Sequence, residues 1–368
     1  MAEEWAGVIH TTSVRELKDA EDHTIRGYYM LSKMKKAGRI TYDNEGRSVQ
    51  WQVDLFEHEP TAIGDNPAIN YDRLDKYRRP SVDWRGYEVN DMMGEKEKLM
   101  NRSPEALINR YSEIVPGMRR SLTNKFGRDE LWVDGYAANN GDRLHGIESF
   151  MTETTPGAAD LIATPNDSYG GLLTNLADEG GTWSADLGTS PNATLATDWP
   201  FGKGTSEYDY WAPKLINWSG TGWTGNTGWE DNCVRVINHA VTWARMTSGV
   251  NGVPEALCMS GNLYTGLRNY HESQLRIIVP NTEADDLGFQ GQTINQEGVA
   301  CMADFGVPTD TGYLINFNEM SMECMYSQMF MPKGPEWSME KAAYLFLMMF
   351  FGNIRWNPKG FSKLKNYA

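Results

Sequence analysis

Few residues in this chain have the types and spacing to do chemistry. The densest set is Asp186, Asp198 and Glu230, interleaved with Trp183, Trp199, Trp218, Trp223 and Trp229. Paired carboxylates hydrolyse glycosidic bonds and tryptophan faces stack on sugars, so this set would make a glycoside-active or lectin site. Tryptophan is also a residue of subunit contacts. No carboxylate pair is singled out by its context, so packing takes precedence over catalysis. The six histidines (His10, His23, His58, His145, His239, His271) include no pair with the spacing of a helix-borne metal site. Cys233 and His239 are six residues apart and do not share a helical face. Asp43-Asn-Glu-Gly46 lacks the spaced ligands of a calcium loop and reads as a turn. Glu283, Asp285 and Asp286 read as a solvated acidic loop. No nucleophile elbow and no phosphate-binding glycine loop occurs. The four cysteines fit no zinc or disulfide pattern and read as buried thiols. The expectation is a chain that is not an enzyme and has no cofactor or metal.

The elements that would have to position a site are more informative. In residues 49–55, Val49, Trp51, Val53 and Leu55 share one face, and Gln50, Gln52 and Asp54 the other. A period of two is a strand. Residues 40–42 form another short strand, with Asp43-Asn-Glu-Gly46 as the tight reversal between the two. A third strand covers 81–89, with a phase slip at Gly86 that suggests a bulge. Residues 57–79, with Pro60, Gly64 and Pro67, are too long and too polar for an ordinary connection. They read as the tip of an extended arm. A long helix follows, capped by Ser103 and Pro104, kinked at Pro116-Gly117 and stopped at Gly127.

At 368 residues the chain can bury a large core. Its 40% hydrophobic and 23% charged residues are ordinary globular composition. The net charge of -15 argues against tight sequence-independent binding to nucleic acid, but an acidic wall could enclose DNA without gripping it. No secretory signal is visible, and the most apolar run, 342–351, is too short to span a bilayer. A soluble chain made in a cytoplasm is expected.

Taken in order, residues 1–26 form a polar arm or tail. Residues 27–37 form a short amphipathic helix with Lys33, Lys35 and Lys36 facing out. Leu131-Trp-Val133 is a short strand. Residues 183–229 are loops and edge strands over the surface. A capping box at Thr227-Gly-Trp-Glu230 starts a helix that runs to about 247. A strand at 256–259, a helix at 261–271 and a strand at 275–279 complete a small α/β unit. Further strands are expected at 292–294, 299–302 and 313–317. Residues 342–355 are strongly apolar, with the strand at Trp132 and the long helix as natural partners, and 359–365 form a basic tail.

Leu31-Ser-Lys-Met-Lys-Lys-Ala-Gly-Arg-Ile40, Val49-Gln-Trp-Gln-Val53, Tyr169-Gly-Gly171, the 230–247 helix and Gly352-Asn-Ile-Arg-Trp-Asn-Pro358 occur in an order that resembles major capsid proteins of tailed double-stranded DNA phages. The resemblance implies an α+β chain with the HK97-type fold. It implies an N-terminal arm (1–27), a short helix and E-loop hairpin (28–89), and a peripheral domain with a spine helix (90–159). An axial α/β domain (160–312) and a return to the peripheral domain (313–368) follow. It implies a shell subunit of an icosahedral virion, forming hexamers and pentamers around DNA. Partners would be copies of itself, a portal, scaffolding protein and a decoration protein, with assembly in the host cytoplasm and no membrane. The interface residues expected are Arg39, Arg47, Trp51, Tyr71, Arg73, Arg78, Arg79 and Trp84. Hinges are expected at Gly38 and Gly86. A nanocompartment shell of the same fold and a Trp-rich carbohydrate-binding protein are the alternatives.

Overall fold

The computed structural model describes residues 27–54, 62, 71, 77–100, 110–158, 160–174, 211–247, 253–273 and 294–367. Along the chain these form helix α1 (Tyr29–Lys36) and strands β1 (Ile40–Thr41), β2 (Ser48–Gln50), β3 (Val53–Asp54), β4 (Tyr77–Arg78), β5 (Ser81–Asp83) and β6 (Arg85–Gly94). Helices α2 (Glu95–Met100) and α3 (Arg110–Lys125) follow, then β7 (Glu153–Thr154), β8 (Ile162–Pro165), β9 (Ser168–Tyr169), β10 (Leu172–Leu173) and β11 (Lys214–Asn217). Helix α4 (Trp229–Thr247), β12 (Ala256–Met259) and helix α5 (Gly261–Ser273) form a helix–strand–helix run. The chain continues through β13 (Ile294–Gln296), β14 (Val299–Ala303), β15 (Thr311–Ile315), β16 (Met320–Cys324), β17 (Met331–Ser338), β18 (Ala343–Trp356) and β19 (Ser362–Lys365).

The chain divides into two compact units. The larger takes in 27–86, 125–329 and 351–368. Its centre is an eight-stranded sheet in the order β13-β14-β12-β15-β19-β11-β8-β7. The β12–β14 and β11–β19 pairs are parallel, and the rest of the sheet is antiparallel. Strand β12 is buried along its whole length, as a strand covered on both faces must be. Cys233, Val236, Ile237, Ala240 and Val241 of α4 recur at helical spacing. They share one core with Leu263 and Leu267 of α5 and with Ile216, Leu257, Leu314 and Leu364 of the sheet.

Residues 362–365 are no basic tail: β19 is an internal strand between β15 and β11. Its Lys363 is 3% exposed and tied to Glu148 and Glu153 at 2.7 and 3.1 Å. Lys33 does not face out; it is buried and pairs with Glu255 at 3.6 Å. Leu131-Trp-Val133 is no strand. Helix α3 passes through Pro116 and runs into a π-helical turn at Phe126–Glu130, past the expected stop at Gly127. The turn at 43–46 forms, with Asp43 and Gly46 at positive φ. The strands flanking it do not pair with each other, because β1 lies parallel to β16 and β2 pairs with β5. The described part of the tryptophan-rich segment is surface only in part: residues 211–220 are buried throughout, and 224–228 are exposed. The expected cap at Ser103-Pro104, the strand at 275–279 and the acidic loop at 283–286 lie outside the described residues.

The smaller unit comprises 87–124 and 330–350 among its described parts. There β17 and the first part of β18 form an antiparallel pair, interrupted by a bulge between Lys333 and Glu336, and β6 also pairs with β18. Phe346, Met348 and Phe350 alternate as the buried side of β18. Within this unit the apolar run pairs with β17 and β6, and no strand forms at Trp132 to receive it. Among the described residues no helix is long and apolar enough to cross a membrane.

Candidate functional site

Strands β2 and β3 pair with β5 and β4 in one unbroken register, from Ser48 opposite Asp83 to Asp54 opposite Tyr77. Together they make a two-stranded antiparallel ribbon. The ladder lapses opposite Pro80, which has no N–H to give, and Trp51 N donates to Pro80 O there at 3.4 Å. Alternation along the ribbon follows the sequence. Val49 is buried, Trp51 and Val53 are half-buried, and Gln50, Gln52 and Asp54 are exposed. Among the described residues the ribbon's strands pair only with each other.

The root of the ribbon is held by aromatic residues of its own chain. The Trp51 ring meets those of Tyr169 and Trp211 at centroid distances of 6.1 and 6.5 Å, and its Nε1 donates to Asn357 Oδ1 at 3.1 Å. Across the ribbon, Ser81 N donates to Gly170 O at 3.0 Å. Gly170 is at φ +62, and a Cβ there would lie 2.7 Å from Pro80 Cβ. The tight turn between β9 and β10 and its approach to the ribbon therefore both require glycine. Tyr169 is fully buried, donates its hydroxyl to Ile354 O at 2.7 Å, and presents an edge to Phe150 at 5.5 Å. Burial raises its pKa well above the ordinary value. Asn353, wholly buried, donates Nδ2 to Asp83 O at 2.6 Å.

The expected interface residues fall into groups. Arg47, Tyr71 and Arg79 are exposed, Tyr71 at 88%. Arg47 and Trp84 line a cleft of about 450 Å³ with Asn44, Glu45, Glu323 and Arg355. Trp84 Nε1 donates to Gly46 O at 3.0 Å. Arg39 bonds Asn318 Oδ1, and Arg78 bonds the carbonyl of Tyr77. Trp51 is engaged within its own chain, as above. Arg73 lies outside the described residues. Of the two hinge positions, Gly38 is at φ +66 with open space around its α-carbon. Gly86 has no positive φ, and a Cβ there would lie 2.6 Å from the Phe351 ring. The strand change falls at Trp84, between β5 and β6, not at Gly86.

The catalytic alternative finds little to work with. Asp186, Asp198, Trp183 and Trp199 lie outside the described residues. Trp218 and Trp229 are 6% and 7% exposed and pack edge to face at 5.5 Å. Their Nε1 groups donate to the carbonyls of Asp310 and Leu263. Little of either ring is left exposed, although both line an open cleft of about 570 Å³ with Glu230, Asp231 and Asp310. Glu230 accepts from Asn269 at 3.3 Å. All four cysteines are buried and unbridged, and burial pushes the thiols of Cys233, Cys301 and Cys324 up to about 12. Among the described residues no group of three or more His, Cys, Asp or Glu is placed to hold a metal.

Sequence reasoning missed His145, Tyr136, Asn353 and Asn357 as anchors. The signal was present in part, since Asn353 and Asn357 belong to the Gly352–Pro358 motif and Tyr169 to Tyr-Gly-Gly.

No family model and no curated protein sequence matches the chain. Solved structures do. The capsid of a native GTA particle, computed with C5 symmetry, superposes with a TM-score of 0.56 at 11% identity, covering 98% of this chain and 99% of that one. The capsid of the empty GTA particle gives 0.54 at 10% identity over 100% and 98%. The capsid asymmetric unit of cyanophage A-1(L) gives 0.54 at 11% over 97% and 99%. The likeness runs the full length of both partners, and so the chain has the HK97-type fold of phage capsid subunits.

Proposed function

We propose that this protein is the shell subunit of an icosahedral phage head. Copies of it join into hexamers and pentamers and enclose double-stranded DNA. The observation that carries this reading is the ribbon of β2–β5. A two-stranded ribbon is marginal in water by itself, yet here its register is continuous and its root is anchored by Trp51, Ser81 and Asp83. An arm fixed at the root and open along both edges is suited to lie across a neighbouring copy. Many modest contacts of this kind stabilise a closed shell together and let wrong joins dissociate singly. The net charge of -15 fits a wall that surrounds DNA without gripping it.

In this reading residues 1–27 are an arm to another subunit, 28–89 the short helix and E-loop, 90–159 and 313–368 peripheral, and 160–312 axial. Arg47, Tyr71, Arg73, Arg78 and Arg79 meet the neighbour. Arg39, Trp51 and Trp84 shape the arm's base, and Gly38 and Gly86 flank its movement during shell expansion. Portal, scaffolding and decoration proteins are the further partners, and assembly takes place in the host cytoplasm.

Replacing residues 55–76 by a short Gly-Ser turn tests this. The shortened chain is expected to fold, keeping its circular dichroism and its cooperative unfolding, but to remain as free subunits. Normal shells from that variant would refute the role of the arm. Shells that co-purify with a cargo protein in place of DNA would favour a nanocompartment.

A further inference from the structure

One histidine is built into the root of the ribbon. His145 is 1% exposed. Its ring stacks on Tyr136 at 4.3 Å and faces the edge of Tyr169 at 6.4 Å. Its Nδ1 is 2.8 Å from Asn353 Nδ2. The surrounding bonds fix which way the Asn353 amide points. Its Oδ1 accepts from His145 N at 3.2 Å and from Ile354 N at 2.8 Å, and its Nδ2 donates to Asp83 O at 2.6 Å. The amide therefore gives Nδ2–H to the imidazole, and Nδ1 must be the bare acceptor. The proton of the neutral ring sits on Nε2, which is buried without a hydrogen-bond partner among the described residues.

We propose that Asn353 and His145 form an acid-sensitive latch on the strand leaving the arm: a neutral imidazole lets Asn353 hold Asp83, and a proton on Nδ1 opens it. The reason is steric and electronic. A proton taken from solvent onto Nδ1 turns acceptor into donor, so Nδ1–H faces Nδ2–H. Flipping the amide cannot relieve this, because Oδ1 would lose two backbone donors. Asn353 must withdraw Nδ2, and the bond to Asp83 O goes with it. The charged groups around the ring are Arg85, which opposes the imidazolium, and the Asp83 carboxylate, which favours it; Tyr136, Tyr169 and Asn353 complete the shell. Burial is the largest influence, and with Arg85 it holds the imidazole down at about 4. The latch is therefore closed at neutral pH and loosens progressively as acid is added. It is a property of the single subunit and does not depend on assembly.

Hydrogen exchange of the intact protein, corrected for intrinsic chemical rates, tests it on the peptide spanning 81–86. With the ring free to protonate at its ordinary 6.5 once open and at about 4 when closed, protection there should fall about 20-fold between pH 7 and pH 5. His145→Gln, whose amide oxygen can accept from Asn353 but does not titrate, should hold that protection flat. Wild-type protection that does not change, or an equal loss in His145→Gln, overturns the latch. Should the variant fail to fold, nitrogen-detected NMR of the wild-type histidines decides: His145 must be the Nε2–H tautomer and stay neutral at pH 5. A ring titrating near 6.5, or carrying its proton on Nδ1, overturns the proposal.

Discussion

Lys363→Met probes the assignment of the C-terminal residues to the centre of the large sheet. The Lys363 ammonium has three partners: Glu148 Oε2 at 2.7 Å, Glu153 Oε2 at 3.1 Å and Met151 O at 3.2 Å. Its side chain is 4% exposed, and those of Glu148 and Glu153 are 22% and 8%. Methionine keeps most of the stem's volume and removes the charge. Breaking a buried pair by deleting one partner costs about 3–5 kcal/mol, because the other charge stays buried. Here each carboxylate keeps a second partner. Glu148 still accepts from the Tyr313 hydroxyl, and Glu153 still pairs with Lys365. The cost should therefore lie near the low end, about 3 kcal/mol. A lysine in a solvated tail would cost at most about 0.5 kcal/mol. Urea unfolding of the dissociated subunit, followed by tryptophan fluorescence, separates the two. Adding Glu148→Gln should recover part of the loss, since the stranded charge is then gone. A single-variant cost under about 0.5 kcal/mol would refute the reasoning.

Gly86→Ala is expected to destabilise by about 1–3 kcal/mol through overpacking against the Phe351 ring, 2.6 Å from the new Cβ. A larger-to-smaller change at Phe351 should restore it, and a neutral Gly86→Ala in urea unfolding would contradict the contact. The thiols of Cys233, Cys258, Cys301 and Cys324 are buried and held protonated. A thiol-specific reagent at pH 8 should label them only after unfolding; fast labelling of the native protein would contradict their placement. His145 adds a pH dependence whose sign follows from its depressed affinity for protons. The unfolded chain takes up the proton below its ordinary 6.5 and the folded chain only below about 4, so this contribution is complete above pH 6.5 and falls as pH drops through that window. The loss is about 3 kcal/mol, read as the change with pH in the stability gap between wild type and His145→Gln. A gap that stays constant from pH 7 to 4.5 would contradict it.

What was legible in the sequence was the periodicity inside each element. The alternation of Val49, Trp51 and Val53 with Gln50, Gln52 and Asp54 is the alternation of burial along the ribbon. The apolar stripe of 233–244 is the buried face of α4. Pairing between distant segments was not legible. Ile40 lies beside Met322 and Lys363 beside Leu215, and no local pattern encodes such a partner. Charged residues misled in one direction. Lys33, Lys214 and Lys363 look solvated by type, yet each is buried, with the ammonium of Lys33 or Lys363 meeting a carboxylate and that of Lys214 the carbonyl of Lys359. Tryptophan misled in the other: Trp211, Trp218 and Trp229 sit in a segment poor in periodicity, yet their bulk is core. At the arm's root, Trp51 was visible as an apolar strand residue, but Asn353 and His145 act through hydrogen bonds to residues far away in the chain.

The central claim is that this chain builds a closed shell. Electron microscopy of the purified protein, co-expressed with the proteins encoded beside it and read together with its size-exclusion profile, tests that directly. Closed particles of uniform capsomers are expected, with density for residues 48–83 crossing from each subunit onto a neighbour. Subunits that stay monomeric or dimeric under those conditions, or shells in which that segment folds back on its own subunit, would contradict it.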